Sequence, residues 1–277
     1  FVTKNLKGVA LKELLNHTSG LADWAPLYKD FLDKPDDHRT NLAHMADRLL
    51  NDPTLMKNPR GTIEYSCLGY ILLTAIVEKI GGAPLNELFD HLTDQLFFPT
   101  TNYQLPTTSF VPSSFCPLRK KILQGEVMDL NAYALGGVSG NAGLFGSATA
   151  LHKALCELRR AKFGQSKLFL ANTFDLFCRP ATSDQRPATN YYTLGFDTPT
   201  PGSSQAGSLF STNTIGSLGY TGCSFWWDLE KDFWVIFLTN RHMSDPNNER
   251  FKIYRPALHD KIVTELFSGL SPDPKPH

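Results

Sequence analysis

The strongest constraint on this chain is a change of texture near residue 190. Before it, apolar residues recur at helical spacing, most clearly over 68–80, a run closed by Gly81-Gly82. After it come short runs rich in aromatic and β-branched residues, 191–196, 222–228 and 233–240, broken by turn residues. Asp228-Leu229-Glu230-Lys231-Asp232 reads as the hairpin turn between the last two. A final helix at 255–267 closes the pattern, followed by a frayed tail. Helices, then antiparallel strands, then a closing helix specify an α/β fold of the α+β type, with helices covering a mainly antiparallel sheet. On this reading residues 1–277 form a single domain, 22–180 its mostly helical side and 190–268 its sheet strands and closing helix.

The helical part divides further. Residues 6–21 read as a short amphipathic helix carrying Leu11, Leu14 and Leu15, with Gly20 suited to its C-terminal cap. Helices are also expected at 41–51, at 84–97 with Pro84 in the first turn, and at 148–162. Four prolines make 99–118 a long surface connection. The glycine-dense passage 136–143 lacks Gly-x-x-x-x-Gly-Lys-Ser/Thr, so it is a tight backbone passage rather than a phosphate cradle, and no cofactor is expected.

Composition removes several function classes. Lys plus Arg number 27 and Asp plus Glu 27, so no overall field draws nucleic acid or an anionic membrane. The longest basic cluster, Arg119-Lys120-Lys121, reads as a solvated loop. Cys67, Cys116, Cys156, Cys178 and Cys223 are scattered, without the spacing of a zinc site or a disulfide scaffold. Reduced thiols are the default, and one bridge stays open if the protein is exported. Val235-Ile236-Phe237-Leu238 reads as a buried strand, far short of the roughly 18–20 apolar residues of a membrane span. No signal peptide pattern is visible, which leaves the compartment open between periplasm and cytoplasm.

A series of segments runs in order from about residue 10 to about 265. It comprises Leu14-Leu15-Asn16-His17-Thr18-Ser19-Gly20-Leu21, then Pro59-Arg60-Gly61-Thr62-Ile63-Glu64-Tyr65-Ser66-Cys67-Leu68-Gly69-Tyr70. Leu135-Gly136-Gly137-Val138, Ala142-Gly143-Leu144-Phe145, Tyr220-Thr221-Gly222 and Leu238-Thr239-Asn240-Arg241 follow. In order and spacing these resemble serine β-lactamase and penicillin-binding-protein-like sequences, a family that includes class C β-lactamases and related esterases. The resemblance implies a β-lactamase/transpeptidase-like fold and acylation of a serine. A Ser-x-x-Lys motif would supply the nucleophile. A Tyr-x-Asn motif would supply a second proton-transfer group and a substrate-orienting amide. A Lys/His-Thr-Gly strand would line the pocket and add an N–H to the oxyanion hole.

The chain departs from each element. No Ser-x-x-Lys occurs anywhere, and only 16 residues precede His17, so the domain reads as N-terminally incomplete. Phe1-Val2-Thr3-Lys4 resembles the end of that motif with Phe in place of Ser. Tyr65 keeps the tyrosine position, but Cys67 replaces the amide with a thiol, which lacks its paired donor and acceptor. Cys67 is then either an inert packed thiol or a substitute nucleophile. Ser217-Leu218-Gly219 stand where Lys/His-Thr-Gly belongs; the alternative register puts Tyr220-Thr221-Gly222 there. Met128 and Asn141 sit where many relatives carry His.

The resemblance therefore names Tyr65 as candidate proton-transfer residue and Cys67 beside it, with Ser217, Leu218, Gly219, Tyr220 and Asn141 lining a cleft and no metal ligands. Other residues read as structural. His17 is expected buried and bonded to its own loop, and Asp129 and Asn131 are expected to pin a loop. Trp226 and Trp227 should face opposite sides of a strand, one of them exposed. The segment 247–250 should anchor the last helix. Two functions fit. One is a catalytically impaired homologue binding a peptide, glycan or protein partner. The other is an active hydrolase with its nucleophile upstream, acting on a peptidoglycan-like peptide, a β-lactam or an ester. The apolar faces left by a missing nucleophile helix call for an upstream segment or a homodimer.

Overall fold

The computed structural model describes residues 5–32, 37–94, 109–178, 191–243 and 249–268. Phe1 to Lys4, 95–108, Asn247 and Asn248, and the tail after 268 lie outside the described residues, with the expectations that fell on them. The chain divides into two compact units, Phe1–Cys178 and Arg179–His277.

The first unit is mainly helical. Helix α1 spans only Leu11–Leu15, far shorter than the expected 6–21, because Gly8, His17 and Gly20 all take positive φ and break it on both sides. Helix α2 (His38–Asn51) starts earlier than 41 because Asp37 caps it, its carboxylate accepting the Thr40 N–H at 3.3 Å. The buried face of α2 reads Leu42, Met45, Ala46, Leu49 and Leu50 at three- and four-residue steps. Helix α3 (Cys67–Gly81) is capped by Ser66, whose Oγ accepts the Gly69 N–H at 3.2 Å. It stops at Gly82, whose φ of +73° a side chain would resist. Its first half is apolar on all sides because Leu68, Ile71, Leu72 and Leu73 are all buried, packing in one core with α2, Leu14 and Leu135.

Helix α4 (Leu85–Asp94) begins as expected. At the end of the expected 99–118 connection, Ser114–Cys116 (β1) pairs with Lys121–Leu123 (β2) just beyond it in a short antiparallel hairpin. Arg119 in its turn corrects the reading of a solvated basic loop: its side chain is only 5% exposed. The guanidinium lies 4.4 Å from the Tyr133 ring centre and donates to the Val127 carbonyl at 2.7 Å, so the cation holds the hairpin against the next segment. Helices α5 (Leu130–Ala134), α6 (Ala148–Lys162) and α7 (Ala171–Cys178) complete the unit.

The second unit carries a five-stranded antiparallel sheet in the order β3-β4-β5-β6-β7. The strands are Tyr191–Tyr192, Asp197–Thr198, Thr214–Leu218, Ser224–Asp228 and Phe233–Phe237. The β6–β7 hairpin is closed by Asp228, whose carboxylate accepts the N–H groups of Glu230 and Lys231. Strand β5 carried no textural signal, since Gly216 and Ser217 interrupt it; its pairing with β6 makes it a strand. Trp226 and Trp227 are both buried, at 1% and 0% exposure, which corrects the expectation of one exposed indole. Strand β6 is interior to the sheet, and residues of both its faces are covered. Helix α8 (Arg250–Ser268) starts earlier than expected and carries Pro256 within it. Arg255, His259 and Val263, at four-residue steps, form its buried face.

Candidate functional site

In the first unit the site is built where the 17–24 loop meets the start of α3. Cys67 is the first residue of α3 and donates its N–H to the Asp23 carbonyl at 2.8 Å. Its thiol faces the Tyr65 hydroxyl at 3.6 Å, and the Asn141 side chain lies near enough to act on it electrostatically. Tyr65 is 45% exposed. Tyr65, Cys67 and Asn141, three of the residues singled out in the sequence, thus come together.

A residue assigned only to pinning a loop organises them. Asp129 caps α5 through the Ala132 N–H at 2.8 Å, and the same oxygen accepts the Asn141 amide at 3.2 Å. Its other oxygen accepts the Trp24 indole N–H at 3.1 Å. Asn141 in turn accepts the Ser139 hydroxyl at 2.6 Å. Asn131 does pin a loop: it is fully buried, donates to Ala25 and accepts from Tyr28. Trp24 was missed altogether. The only signal was its position three residues after the His-Thr-Ser-Gly-Leu element, and 105 residues separate it from Asp129.

Electrostatics set the protonation states. Burial raises the Cys67 thiol above its ordinary range, and the carboxylates of Asp129 and Asp23 push it further up. The Tyr65 hydroxyl and the Asn141 side chain act the other way without reversing the sum. The helix N-terminus beside it would favour a thiolate, but burial and two carboxylates win. His17 is buried, as expected, and its Nδ1 accepts the Ser66 N–H at 3.0 Å, from the segment that leads into α3. Burial lowers its pKa to about 4, so the ring is neutral at physiological pH. It sits 4.8 Å from the Tyr65 ring centre and 5.1 Å from that of Tyr70, a wedge that positions the exposed tyrosine.

In the second unit Ser217 and Leu218 end β5, and residues 219–222 form a tight turn closed by Gly222 N–H to Gly219 carbonyl at 2.9 Å. Tyr220-Thr221-Gly222 therefore lies in the turn and Ser217-Leu218 on the strand. Tyr220 is 71% exposed, yet its ring stacks on buried His242 at 4.3 Å. Its carbonyl accepts from His242 Nε2 and Arg241 Nε. Ser217 and Leu218 thus lead from β5 into a turn that presents an exposed Tyr220 ring stacked on His242. Among the described residues, no three His, Cys, Asp or Glu side chains are grouped to hold a metal ion, and no single helix is long and apolar enough to cross a membrane.

Comparison with known proteins agrees with this architecture. The beta-lactamase family model matches residues 1–257. The chain is 31% identical to N-acetylmuramyl-L-alanine amidase of Bacillus subtilis (strain 168), over 74% of this chain and 52% of that protein. It is 30% identical to an Escherichia coli K12 protein provisionally assigned as a D-alanyl-D-alanine carboxypeptidase, over 64% of this chain and 44% of the other. The chain thus spans about half the length of the curated relatives it matches. A penicillin binding protein from Bacillus halodurans superposes with TM-score 0.60 at 19% identity, over 93% of this chain and 74% of that one. Simvastatin synthase (LovD) from Aspergillus terreus does so with TM-score 0.61 at 16% identity, over 94% and 69%. At those identities the superpositions show a shared β-lactamase/transpeptidase-like fold. With the family model extending over nearly all of its length, the chain belongs to the serine beta-lactamase and penicillin-binding-protein-like family.

Proposed function

We propose that this chain is a catalytically impaired homologue of the family's serine hydrolases that uses the surroundings of Tyr65, Cys67 and Asn141 to bind a peptidoglycan-like peptide. The observation that carries the reading is the state of Cys67. It stands at the Asn position of Tyr-x-Asn, and its thiol is held protonated by burial and two carboxylates. Asp129 is engaged on both oxygens by Ala132, Asn141 and Trp24, and His17 commits Nδ1 to Ser66, so neither is poised to deprotonate the thiol. The peptide class follows from the peptidoglycan-directed names of the relatives. The test is labelling with fluorescent penicillin and a fluorophosphonate, together with nitrocefin turnover. The expected result is no label above background; stoichiometric labelling of a serine overturns the reading. Labelling lost in Cys67→Ser would make Cys67 the nucleophile.

The half-length match favours a second reading, an active hydrolase of β-lactamase, esterase or D-Ala-D-Ala peptidase type whose Ser-x-x-Lys lies outside this chain. Tyr65, exposed and one residue before the α3 cap, would then be the proton-transfer residue. A full-length gene product that labels with penicillin, and loses label in Tyr65→Phe, would establish it.

A further inference from the structure

Helix α6 is held in the first unit by Ala150, Glu157 and Ala161, and Cys156 lies half-buried on a side of the helix turned away from them. The side chains that surround a residue on an α-helix are those three and four positions away. For Cys156 these are His152, Lys153, Arg159 and Arg160, and all four are basic. His152, Lys153 and Arg160 are exposed, and Arg159 is half-buried. His152 Nε2 lies 3.5 Å from the Cys156 sulfur. The adjacent acid, Glu157, does not offset this ring of basic groups at the thiol. Its side chain is 8% exposed, and its oxygens are held by Arg160 at 2.7 Å and by the Ser166 hydroxyl at 2.7 Å.

The other four cysteines lack this setting. Cys116 accepts from Arg119 Nε at 3.2 Å, but it is only 7% exposed, so its sulfur is covered. Cys178 is buried, and burial pushes its thiol up to about 12. Cys223 is tied to both the N–H and the carbonyl of Thr239. The Cys67 thiol is held protonated by burial and two carboxylates. Thiol–disulfide exchange needs a thiolate and access to it, and basic neighbours favour both the thiolate and an anionic reactant. We propose that Cys156, with His152 as its base, is a modification site outside the candidate active site that captures small carboxylate-bearing disulfides as a mixed disulfide.

The exchange balances without a further reagent. His152, in the tautomer protonated on Nδ1, takes the thiol proton at Nε2. The Cys156 sulfur attacks one sulfur of the disulfide, and the new S–S bond forms as the old one breaks. The departing thiolate takes the proton that His152 holds. Cys156 is oxidised to the mixed disulfide, and half of the small disulfide leaves reduced as a free thiol. Lys153 and Arg159 flank the sulfur where the carboxylates of the incoming molecule would lie, and Arg160 stays fixed by Glu157.

The experiment incubates the full chain with glutathione disulfide, which is anionic, and in parallel with cystamine, a cationic disulfide. Intact mass and peptide mapping read the adduct, and each rate is taken relative to that with mercaptoethanol. One adduct per chain is expected, on Cys156 and lost in Cys156→Ser. Glutathione disulfide should be preferred by roughly tenfold, a preference that shrinks as salt is added. Lys153→Gln combined with Arg159→Gln, which leaves the Arg160–Glu157 pair in place, should remove most of that preference. His152→Gln should slow both reactions several-fold. No adduct, or one that maps to another cysteine, overturns the site. Equal relative rates for the two disulfides, or a preference that survives the double substitution, overturn the selection of anions. An unchanged rate in His152→Gln overturns the role of His152 as base.

Discussion

Replacing His17 by Asn should remove most of the acid sensitivity of the first unit between pH 6.5 and 4.5. In the folded chain burial holds the His17 pKa at about 4, against an ordinary value of 6.5. The unfolded chain therefore binds a proton in that window that the folded chain refuses, and stability falls as pH falls. Each pH unit is worth about 1.4 kcal/mol, so the span amounts to about 3 kcal/mol in full, with about 2.5 kcal/mol gone by pH 4.5. Above pH 6.5 both states are neutral and His17 adds no slope. Asn is the informative substitute for two reasons. Its side-chain oxygen can accept the Ser66 N–H that Nδ1 accepts at 3.0 Å. It also tolerates the φ of +59° that His17 adopts. Losing the ring between Tyr65 and Tyr70 should cost about 1–2 kcal/mol at pH 7. Native-state hydrogen exchange over the α3 amides at pH 7.5, 5.5 and 4.5 reads the first unit separately from the second. A loss between pH 7.5 and 4.5 that is as large in the His17→Asn variant as in the parent would refute the argument that the buried imidazole sets it.

Asp197 has the opposite sign: its pKa is raised to about 7, so the second unit should lose stability as pH rises from about 4 to about 7, and Asp197→Asn should flatten that slope in hydrogen exchange over β6. Asn131→Ala leaves the Ala25 carbonyl and Tyr28 N–H without their partner in a fully buried site and should destabilise the first unit by about 2–4 kcal/mol in urea unfolding. Gly207→Ala places a Cβ against the Asp260 carboxylate at φ +94°, where that carboxylate accepts from Ser208 and Leu209. A loss of about 2–4 kcal/mol and a lower midpoint for the second unit are expected, whereas Ser208→Ala should cost about 1 kcal/mol.

How much was legible in the sequence depended on whether the signal was local. Helix α3 announced itself because an unbroken apolar run ends at a glycine pair whose second member takes the left-handed conformation a helix end uses. The β6–β7 hairpin was equally plain, since Asp228 closes the turn through its immediate neighbours. Tyr65 and Cys67 could be named as candidates because both lie within one short motif, where sequence alone sets them side by side. The rest depends on contacts that no local pattern records. Strand β5 exists because β6 pairs with it, despite Gly216 and Ser217. Trp227 is buried because its face of β6 is covered too, with the Trp234 ring of β7 packed edge-on against it at 5.8 Å, a contact that alternation along one strand does not record. Arg119 became a packed cation because Tyr133 and the Val127 carbonyl lie beside it. The Trp24–Asp129–Asn141 network brings residues from three separate segments to one carboxylate. Local periodicity sets the longer helices and the β6–β7 hairpin, whereas β5, burial, pKa and hydrogen-bond partners are properties of the packed neighbourhood, and only the tertiary structure supplies the neighbours.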